Sequence, residues 1–337
     1  MPKRFDVVSL GEAMLEFNQT TPGTPAYLQG FGGDTSNAAI AAARAGARSA
    51  YITRVGADTF GNALLDLWQQ EGVGTSAVQR DAVAPTGIYF VTHGKAGHEF
   101  SYLRAGSAAS RMTRQWLTAA ADPLANSAEA TADRTSTCSP ADLIAASAIL
   151  HLSAITLAIS LDACDTAFAA MAHAKKAGTR VSFDSNLRLK LWPLARAQAC
   201  ISQAVSLCDI FLPSLEDMVT LTGLTDPVQI VDWSHAHGAQ TVVLKLGADG
   251  ALASDGQQRQ HVKGQRVTVV DATGAGDCFC GNLLARMALG DDVFIASQYA
   301  NVAAALAVQG YGAVGPLPCA DKVFSAMNAT INAKAVL

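Results

Sequence analysis

Charge is scarce in this 337-residue chain, where only 15% of residues are Asp, Glu, Lys or Arg and neither sign dominates. The 24 Lys and Arg face 28 Asp and Glu, for a formal net charge of −4. There is no basic run to follow a phosphodiester backbone, so nucleic acid is not expected as a partner. The seven cysteines are scattered, and the one close pair, Cys278 and Cys280, has a spacing that suits neither zinc nor a redox Cys-x-x-Cys. They read as buried or half-buried thiols in a reducing compartment, and a cytoplasmic location is expected. The N-terminal stretch MPKRFDVVSLGEAM carries only a short apolar run before Glu12, too little for the core of a signal peptide, so export is not expected. The segment Leu143 to Leu161 lacks any Asp, Glu, Lys or Arg and approaches membrane-span length. Ser147, His151, Ser153, Thr156 and Ser160 interrupt it. It reads as a buried helix end followed by a core strand, and no membrane partner is expected.

What the chain has in quantity is apolar residues, 50% of the total, enough for a sizeable core. Short β-branched or aliphatic runs (FDVVSL, SAYITRVG, AAILHLS, VSFDSN, DIFLPS, TVVLKLG) alternate with longer Ala-rich helical ones (SNAAIAAARAG, FGNALLDLWQQEG). That alternation predicts an α/β fold, a parallel sheet sandwiched between helical layers. Gly46 and Gly178 close helices just ahead of the next strand. Two stretches break the rhythm. Residues 12–31 and 86–104 carry strand and hairpin signals, the second turning at HGKAGH, and together they predict a small antiparallel β lid over one end of the sheet. The core is then 1–11, 32–85 and 105–337. The Ala/Ser/Thr-rich segment from about Ala119 to Ser139 predicts a surface connection.

The stretch VVDATGAGDCFCGNLLARMA, Val269 to Ala288, runs from a β-branched segment through a Gly-rich turn into a helix. Glycines allow the tight turn, and the helix's unpaired N–H groups favour an anion. It is not a Walker loop, nor the GxGxxG of a dinucleotide fold. Asp277 would repel a resting phosphate but is suited to take the proton from a hydroxyl attacking a phosphoryl group, with the Ala275, Gly276 and Asp277 amides holding the developing charge. The plainer alternative is Asp277 as the N-cap of an ordinary helix. A second Gly-rich turn, FGGDTSN (Phe31 to Asn37), would let a polyhydroxylated ligand approach the backbone, with Asn37 donating to and accepting from its hydroxyls. Its alternative is a plain loop.

Taken together these motifs resemble the ribokinase-like (PfkB-type) carbohydrate kinases over essentially the whole chain: GEAMLEF, GGDTSN, TRVGADTFGNALLDLWQQEGV, DSNLR at Asp184 to Arg188, VVLKLGADGA at Val242 to Ala251, and DATGAGD at Asp271 to Asp277. Within that family the chain is most similar to 2-keto-3-deoxygluconate kinases, through GFGGDTSN, GIYF with Tyr89, SYLRAGSAA with Tyr102 and Arg104, the run from His151, and DSNLRLKLWP with Arg188 and Trp192. Such a substrate carries a carboxylate, so a cationic side chain facing the sugar is expected. Arg104 is the first candidate, and Arg188 could reach the same carboxylate or the nucleotide phosphates.

The resemblance implies ATP with Mg²⁺ at the C-terminal strand ends and the sugar acid between that site and the lid, with a monovalent cation as a further candidate. Asp277 would be the base for the C6 hydroxyl, and Gly274, Ala275 and Gly276 the anion hole. Gly32, Gly33, Asp34, Asn37, Tyr89, Tyr102, Arg104 and Arg188 would bind substrate. Asn186, Arg188, Lys245, Gly247, Ala248, Asp249, Gly250 and Asn301 would bind nucleotide. Lys245 has the alternative of a solvated strand end. Lid closure would exclude water. Two departures stand out: where many relatives carry Asn-x-x-Glu this chain has Ser214 and Asp217, leaving Asp217 or the adjacent Glu216 to organise the metal through water, and Ala272 replaces a frequent Thr. Rival readings are the galactonate epimer, a neutral ketose such as fructose, and a silent sugar-acid sensor. Against the ketose, Arg104 would be an unpaired buried guanidinium. A homo-oligomer, dimer or higher, is expected through the lid, whose Ile88, Phe90, Phe100 and Tyr102 would meet a second copy.

Overall fold

The computed structural model describes residues 3–94, 97–119 and 138–335, so most of the expected 119–139 connection lies outside the described residues. The first strand, β1 (Phe5–Leu10), is buried along almost its whole length and on both faces, as a central parallel strand is. It pairs in parallel with β4 (Ser49–Gly56) on one side and β8 (Ser147–Ser153) on the other. The sheet continues outward through β5 (Gly74–Asp81) beyond β4, and through β9 (Arg180–Asp184), β10 (Ile210–Leu212) and β11 (Thr241–Lys245) beyond β8. It ends in β12 (Gly250–Ser254) and β13 (Arg259–Lys263), which are antiparallel. This edge departs from the all-parallel expectation: at Gly250 an added Cβ would sit 2.1 Å from the Val262 carbonyl oxygen, and with φ +94° this residue lets the chain reverse after β11 where a crossover helix would otherwise be needed.

Helices cover both faces. One layer holds α1 (Asp34–Arg44), α2 (Thr59–Gln70), α10 (Ala275–Ala288), α11 (Val293–Ala307) and α12 (Ala320–Ala335). Its core includes Ile40, Tyr51, Trp68, Leu283 and Tyr299. The other holds α3 (Arg114–Thr118), α4 (Pro140–Ala145), α5 (Ala154–Ala158), α6 (Leu161–Lys176), α7 (Leu194–Leu207), α8 (Leu215–Thr222) and α9 (Pro227–Ala236), around Leu152, Met171, Phe183, Phe211 and Ile230. The uncharged Leu143–Leu161 segment becomes the end of α4, the strand β8 and the helix α5. No helix among the described residues is long and apolar enough to cross a membrane.

In the first layer α1 and α10 cross closely. A Cβ on Gly281 would fall 2.2 Å from the Ala38 carbonyl oxygen, so only glycine at that point lets the two backbones meet. The contact sets their N-termini, residues 34–37 and 275–277, beside one another.

The lid is a separate four-stranded sheet, ordered β3 (Tyr27–Gly32), β2 (Met14–Gln19), β6 (Ile88–Gly94) and β7 (Gly97–Leu103). Both hairpins are antiparallel, as expected, but their inner strands β2 and β6 pair in parallel, because both leave the core from the same root. Within the expected turn HGKAGH, residues 95 and 96 lie outside the described residues. The four apolar side chains expected to meet a second copy, Ile88, Phe90, Phe100 and Tyr102, are divided between the two lid faces. Ile88 lies opposite Leu103, whereas Tyr89 lies opposite Tyr102 and Val91 opposite Phe100. Phe90 stacks on Phe17 at 5.2 Å, and Phe17 meets Phe60 of α2 edge-on at 5.8 Å. One lid face is therefore partly spent on the core, while Tyr89, Val91 and Met14 form a small cluster of their own with Phe100.

Candidate active site

A cavity of about 830 Å³ opens beneath the lid, over the C-terminal ends of β1, β9, β10 and β11. In an open α/β sheet this is where ligands bind, outside the carboxyl ends of strands near the point where the strand order reverses. Its wall includes Gly33, Asp34, Asn37, Tyr89, Tyr102, Arg104, Asn186, Arg188, Lys245, Gly247 and the whole turn from Ala272 to Asp277. Residues more than 200 positions apart in sequence are thus brought to one place.

Asp277 lies on the cavity floor in the first turn of α10. The helix N-cap is Gly274, with φ 74°, so the N-cap role considered for Asp277 is excluded. Its carboxylate does not serve its own helix; instead Oδ2 accepts from Asn37 Nδ2 at 2.8 Å. The Asn37 Oδ1 is buried without a hydrogen-bond partner. Burial first, and then the neighbouring charge of Asp34, push the Asp277 carboxyl up to about 7, against the Asn37 hydrogen bond that favours ionisation. A group poised there is protonated and ionised in comparable amounts near neutral pH, the condition for a general base. Of the amides expected to hold negative charge, that of Ala275 already bonds the Ala272 carbonyl at 3.2 Å. Those of Gly276 and Asp277 belong to the first turn, where a helix supplies no acceptor.

Lys245 is not a solvated strand end. Its Nζ lies 2.8 Å from both oxygens of Asp184 and 3.5 Å from Cys280 Sγ, and a Cβ on Gly276 would sit 3.7 Å from it. The cation is therefore directly under the α10 turn. Burial alone would raise the Asp184 carboxyl, but Lys245 reverses this and holds it below its ordinary value. His151, beside Ser182 at 3.2 Å, is driven down to about 4 by burial and is neutral at physiological pH.

At the lid side, the Tyr89 hydroxyl donates to Glu16 Oε2, and a Cβ on Gly32 would overlap the Tyr89 ring. Gly32 is not on the cavity wall; it makes room for Tyr89. The rings of Tyr89 and Tyr102 lie 5.7 Å apart. Arg104 Nη2 pairs with Glu12 Oε2, their side chains only 11% and 1% exposed, and Glu12 Oε1 accepts from Ser107 Oγ. The guanidinium expected to be unpaired is therefore compensated.

Asn186 Nδ2 donates to Asp34 Oδ2 at 2.8 Å, joining two residues expected to serve different ligands. Arg188 is exposed on the wall. Gly247 lines the cavity, but Ala248, Asp249 and Gly250 do not; Gly250 is occupied in the reversal from β11 into β12, and Ala248 and Asp249 are exposed to solvent. Asn301 is also off the wall, its Nδ2 bonding the Val262 and Lys263 carbonyls at 3.0 and 3.4 Å. Glu216 and Asp217 both reach the wall. Asp217 Oδ2 accepts from Ser185 Oγ at 2.7 Å, while Glu216 is exposed.

The family model described as pfkB family carbohydrate kinase matches residues 4–130 and 121–320. The chain belongs to the pfkB family of carbohydrate kinases. This pfkB kinase is 32% identical over 334 residues to the 2-dehydro-3-deoxygluconokinase of Bacillus subtilis (strain 168), covering 97% of this chain and 96% of that protein. It is 34% identical over 323 residues to the 2-dehydro-3-deoxygluconokinase of Thermoproteus tenax, covering 93% and 91%. Among solved structures it is similar to a fructokinase from Vibrio cholerae O395 described in a fructose, ADP and calcium ion bound form. That likeness has a TM-score of 0.79 and 29% identity, over 95% of this chain and 98% of the other. The ribokinase-like fold expected from the motifs is the fold of this pfkB kinase.

Sequence reasoning missed Glu12 and Asp184 on the cavity wall of this pfkB kinase, and Glu16 behind it as the partner of Tyr89. Each is an acid buried beside a residue that was singled out, and the signal was present: a carboxylate within or next to a strand of mostly apolar residues needs a partner if it is buried. Which partner is a matter of tertiary structure alone.

Proposed function

We propose that this kinase transfers the γ-phosphoryl group of ATP to the C6 hydroxyl of 2-keto-3-deoxy-D-gluconate, giving 2-keto-3-deoxy-6-phosphogluconate, in Entner–Doudoroff-type or uronate catabolism. The observation that carries the reading is Asp277, a carboxyl raised to about 7 at the start of α10, on the wall of the same cavity as Arg104. Asp277 takes the proton of the attacking hydroxyl, and the Asn37 amide fixes which oxygen does so. The first-turn amides of α10 and the Lys245 cation beneath them stabilise charge that develops on the transferred group. The unpartnered Asn37 Oδ1 accepts from a sugar hydroxyl, and Arg104 presents its fork to the sugar carboxylate. Support for a sugar acid also comes from the two relatives at 32% and 34% identity.

Mg²⁺ fits this donor set. Among the described residues there is no cluster of three or more His, Cys, Asp or Glu placed to cage a metal, and Mg²⁺ bound with a nucleotide needs only one or two carboxylates alongside waters and phosphate oxygens. Glu216 and Asp217 are the residues that would hold it. When bound, it neutralises charge on the β- and γ-phosphates.

A neutral ketose is the second reading. The Glu12 carboxylate cancels the Arg104 charge, so a neutral sugar would not strand a lone buried cation. A coupled ADP-release assay with ATP and Mg²⁺ separates the readings, using 2-keto-3-deoxygluconate, its galactonate epimer, fructose, ribose and gluconate. Turnover of the keto-acid well above fructose supports the sugar-acid reading, and dominance of fructose or ribose refutes it. The protein is also proposed to dimerise through the lid, where Tyr27, Leu28, Tyr102 and Leu103 are exposed. A monomer by light scattering at micromolar concentration overturns that.

A further inference from the structure

All four lid strands join the core at one small place, and Glu12 is at its centre. It precedes β2, while Gly87 precedes β6, Arg104 follows β7 and Gly33 follows β3. A Cβ on Gly87 would lie 2.9 Å from Glu12 Oε1, and one on Gly33 would lie 2.5 Å from the Glu12 carbonyl oxygen. The chain thus keeps one side chain out of the space around this carboxylate and another away from the Glu12 backbone. Both oxygens face the turn after β7: Oε1 accepts from Ser107 Oγ, and Oε2 is in ion-pair contact with Arg104 Nη2 without hydrogen-bond geometry, and the Ser107 amide closes that turn on the Arg104 carbonyl at 3.1 Å. A carboxylate 1% exposed is tolerable only because it is paired and hydrogen-bonded.

We propose that Glu12 is a positioning and specificity-determining residue: it anchors Arg104 at the lid root and cancels its charge, and thereby sets how strongly the cavity prefers a carboxylate-bearing acceptor over a neutral one. The inference rests on the reading of the cavity as an acceptor site for sugars or sugar acids. With Glu12 in place, Arg104 offers an incoming carboxylate a fixed set of N–H donors but little net charge. Removing the charge of Glu12 while keeping its shape leaves a guanidinium whose compensation has to come from the ligand. A sugar acid brings it and a neutral ketose does not. Selectivity for the acid then increases, through binding and not through the chemical step, because neither residue touches the transferred phosphoryl group.

The test compares the wild type with Glu12→Gln, measuring kcat and KM, and dissociation constants by calorimetry, for 2-keto-3-deoxygluconate and fructose. The amide retains an acceptor for Ser107 Oγ. The expected result is a tenfold or larger rise in the acid-over-ketose ratio of affinities, appearing in KM and Kd with the ratio of kcat values moving less than threefold. A ratio unchanged within twofold, or one shifted toward the ketose, overturns the proposal and leaves Glu12 as a purely structural residue. The ratio is defined whichever sugar the wild type prefers, so a wild type that favours fructose refutes the sugar-acid reading without deciding the role of Glu12. If Glu12→Gln does not fold, the double variant Glu12→Gln/Arg104→Gln has no uncompensated charge and serves instead. It is expected to lower the ratio at least tenfold below wild type, and equal losses for both ligands overturn the proposal.

Discussion

If Asp277 is held partly protonated by its surroundings, replacing it with a neutral isostere should make the ligand-free protein more stable while destroying its activity. The carboxyl moves from 3.8 in an unstructured chain to about 7 in the fold. For an acid raised in this way, the favourable contribution is complete below the unfolded value and is lost as pH climbs through the folded one. At about 1.4 kcal/mol per pH unit, the penalty above pH 7 approaches ~4 kcal/mol, and water in the open cavity reduces this to about 1–3 kcal/mol. Asp277→Asn removes the penalty and keeps an oxygen to accept from Asn37 Nδ2. The melting temperature of the variant minus that of the wild type should therefore rise between pH 5 and pH 8, by about 2–6 °C for a chain of this size. Scanning calorimetry or a dye-based melt on the apo-proteins across that range measures it, alongside turnover expected to fall by several orders of magnitude. A difference that is flat with pH, or one that falls, would show that Asp277 ionises like a surface carboxylate and would refute the base assignment argued from burial.

The same environment predicts an acid limb near pH 7 in kcat/KM, since only ionised Asp277 accepts a proton. Asp34→Asn removes a like charge and should displace that limb to lower pH while weakening acceptor binding; a limb that stays in place contradicts the coupling. Lys245→Met strands the buried Asp184 and should cost about 3–5 kcal/mol in denaturant unfolding at pH 8. The loss should shrink at pH 5, where Asp184 can take up a proton. Gly281→Ala forces α1 and α10 apart at the Ala38 carbonyl and should cost about 1–3 kcal/mol. It should lower kcat more than KM, because it displaces Asn37 from Asp277; unchanged kcat would mean that the crossing does not set their separation.

The layered α/β architecture and six of the nine strands of the main sheet were legible because their signal is local: β-branched runs, Ala-rich helical stretches and glycines with positive φ at Gly46 and Gly178; β5, β12 and β13 were not. The turn from Gly274 to Asp277 was legible for the same reason. What failed was everything decided by the far side of a contact. The Asn37–Asp277 bond spans 240 positions, and nothing in either motif names the other. Lys245 could not be told from a solvated strand end without Asp184, nor could Arg104 be told from a lone cation without Glu12. Ala248, Asp249, Gly250 and Asn301 were placed on the site by their motif alone, whereas a reversal into an antiparallel edge and a pair of backbone carbonyls account for Gly250 and Asn301 in the structure. The parallel pairing of β2 with β6 has the same origin, a meeting of two hairpins that no stretch of sequence contains.

That meeting has a consequence for how such a chain can change. Nearly every residue that lines the cavity from the lid falls in two continuous stretches, 12–33 and 87–107, whereas Asp277 and Lys245 lie elsewhere and are fixed by the helix crossing and the sheet. The two stretches are in effect cassettes. On the proposed reading of the cavity, exchanging them together between relatives transplants the choice of sugar as a unit, whereas exchanging either one alone splits Glu12 from Arg104 and leaves a mismatched half.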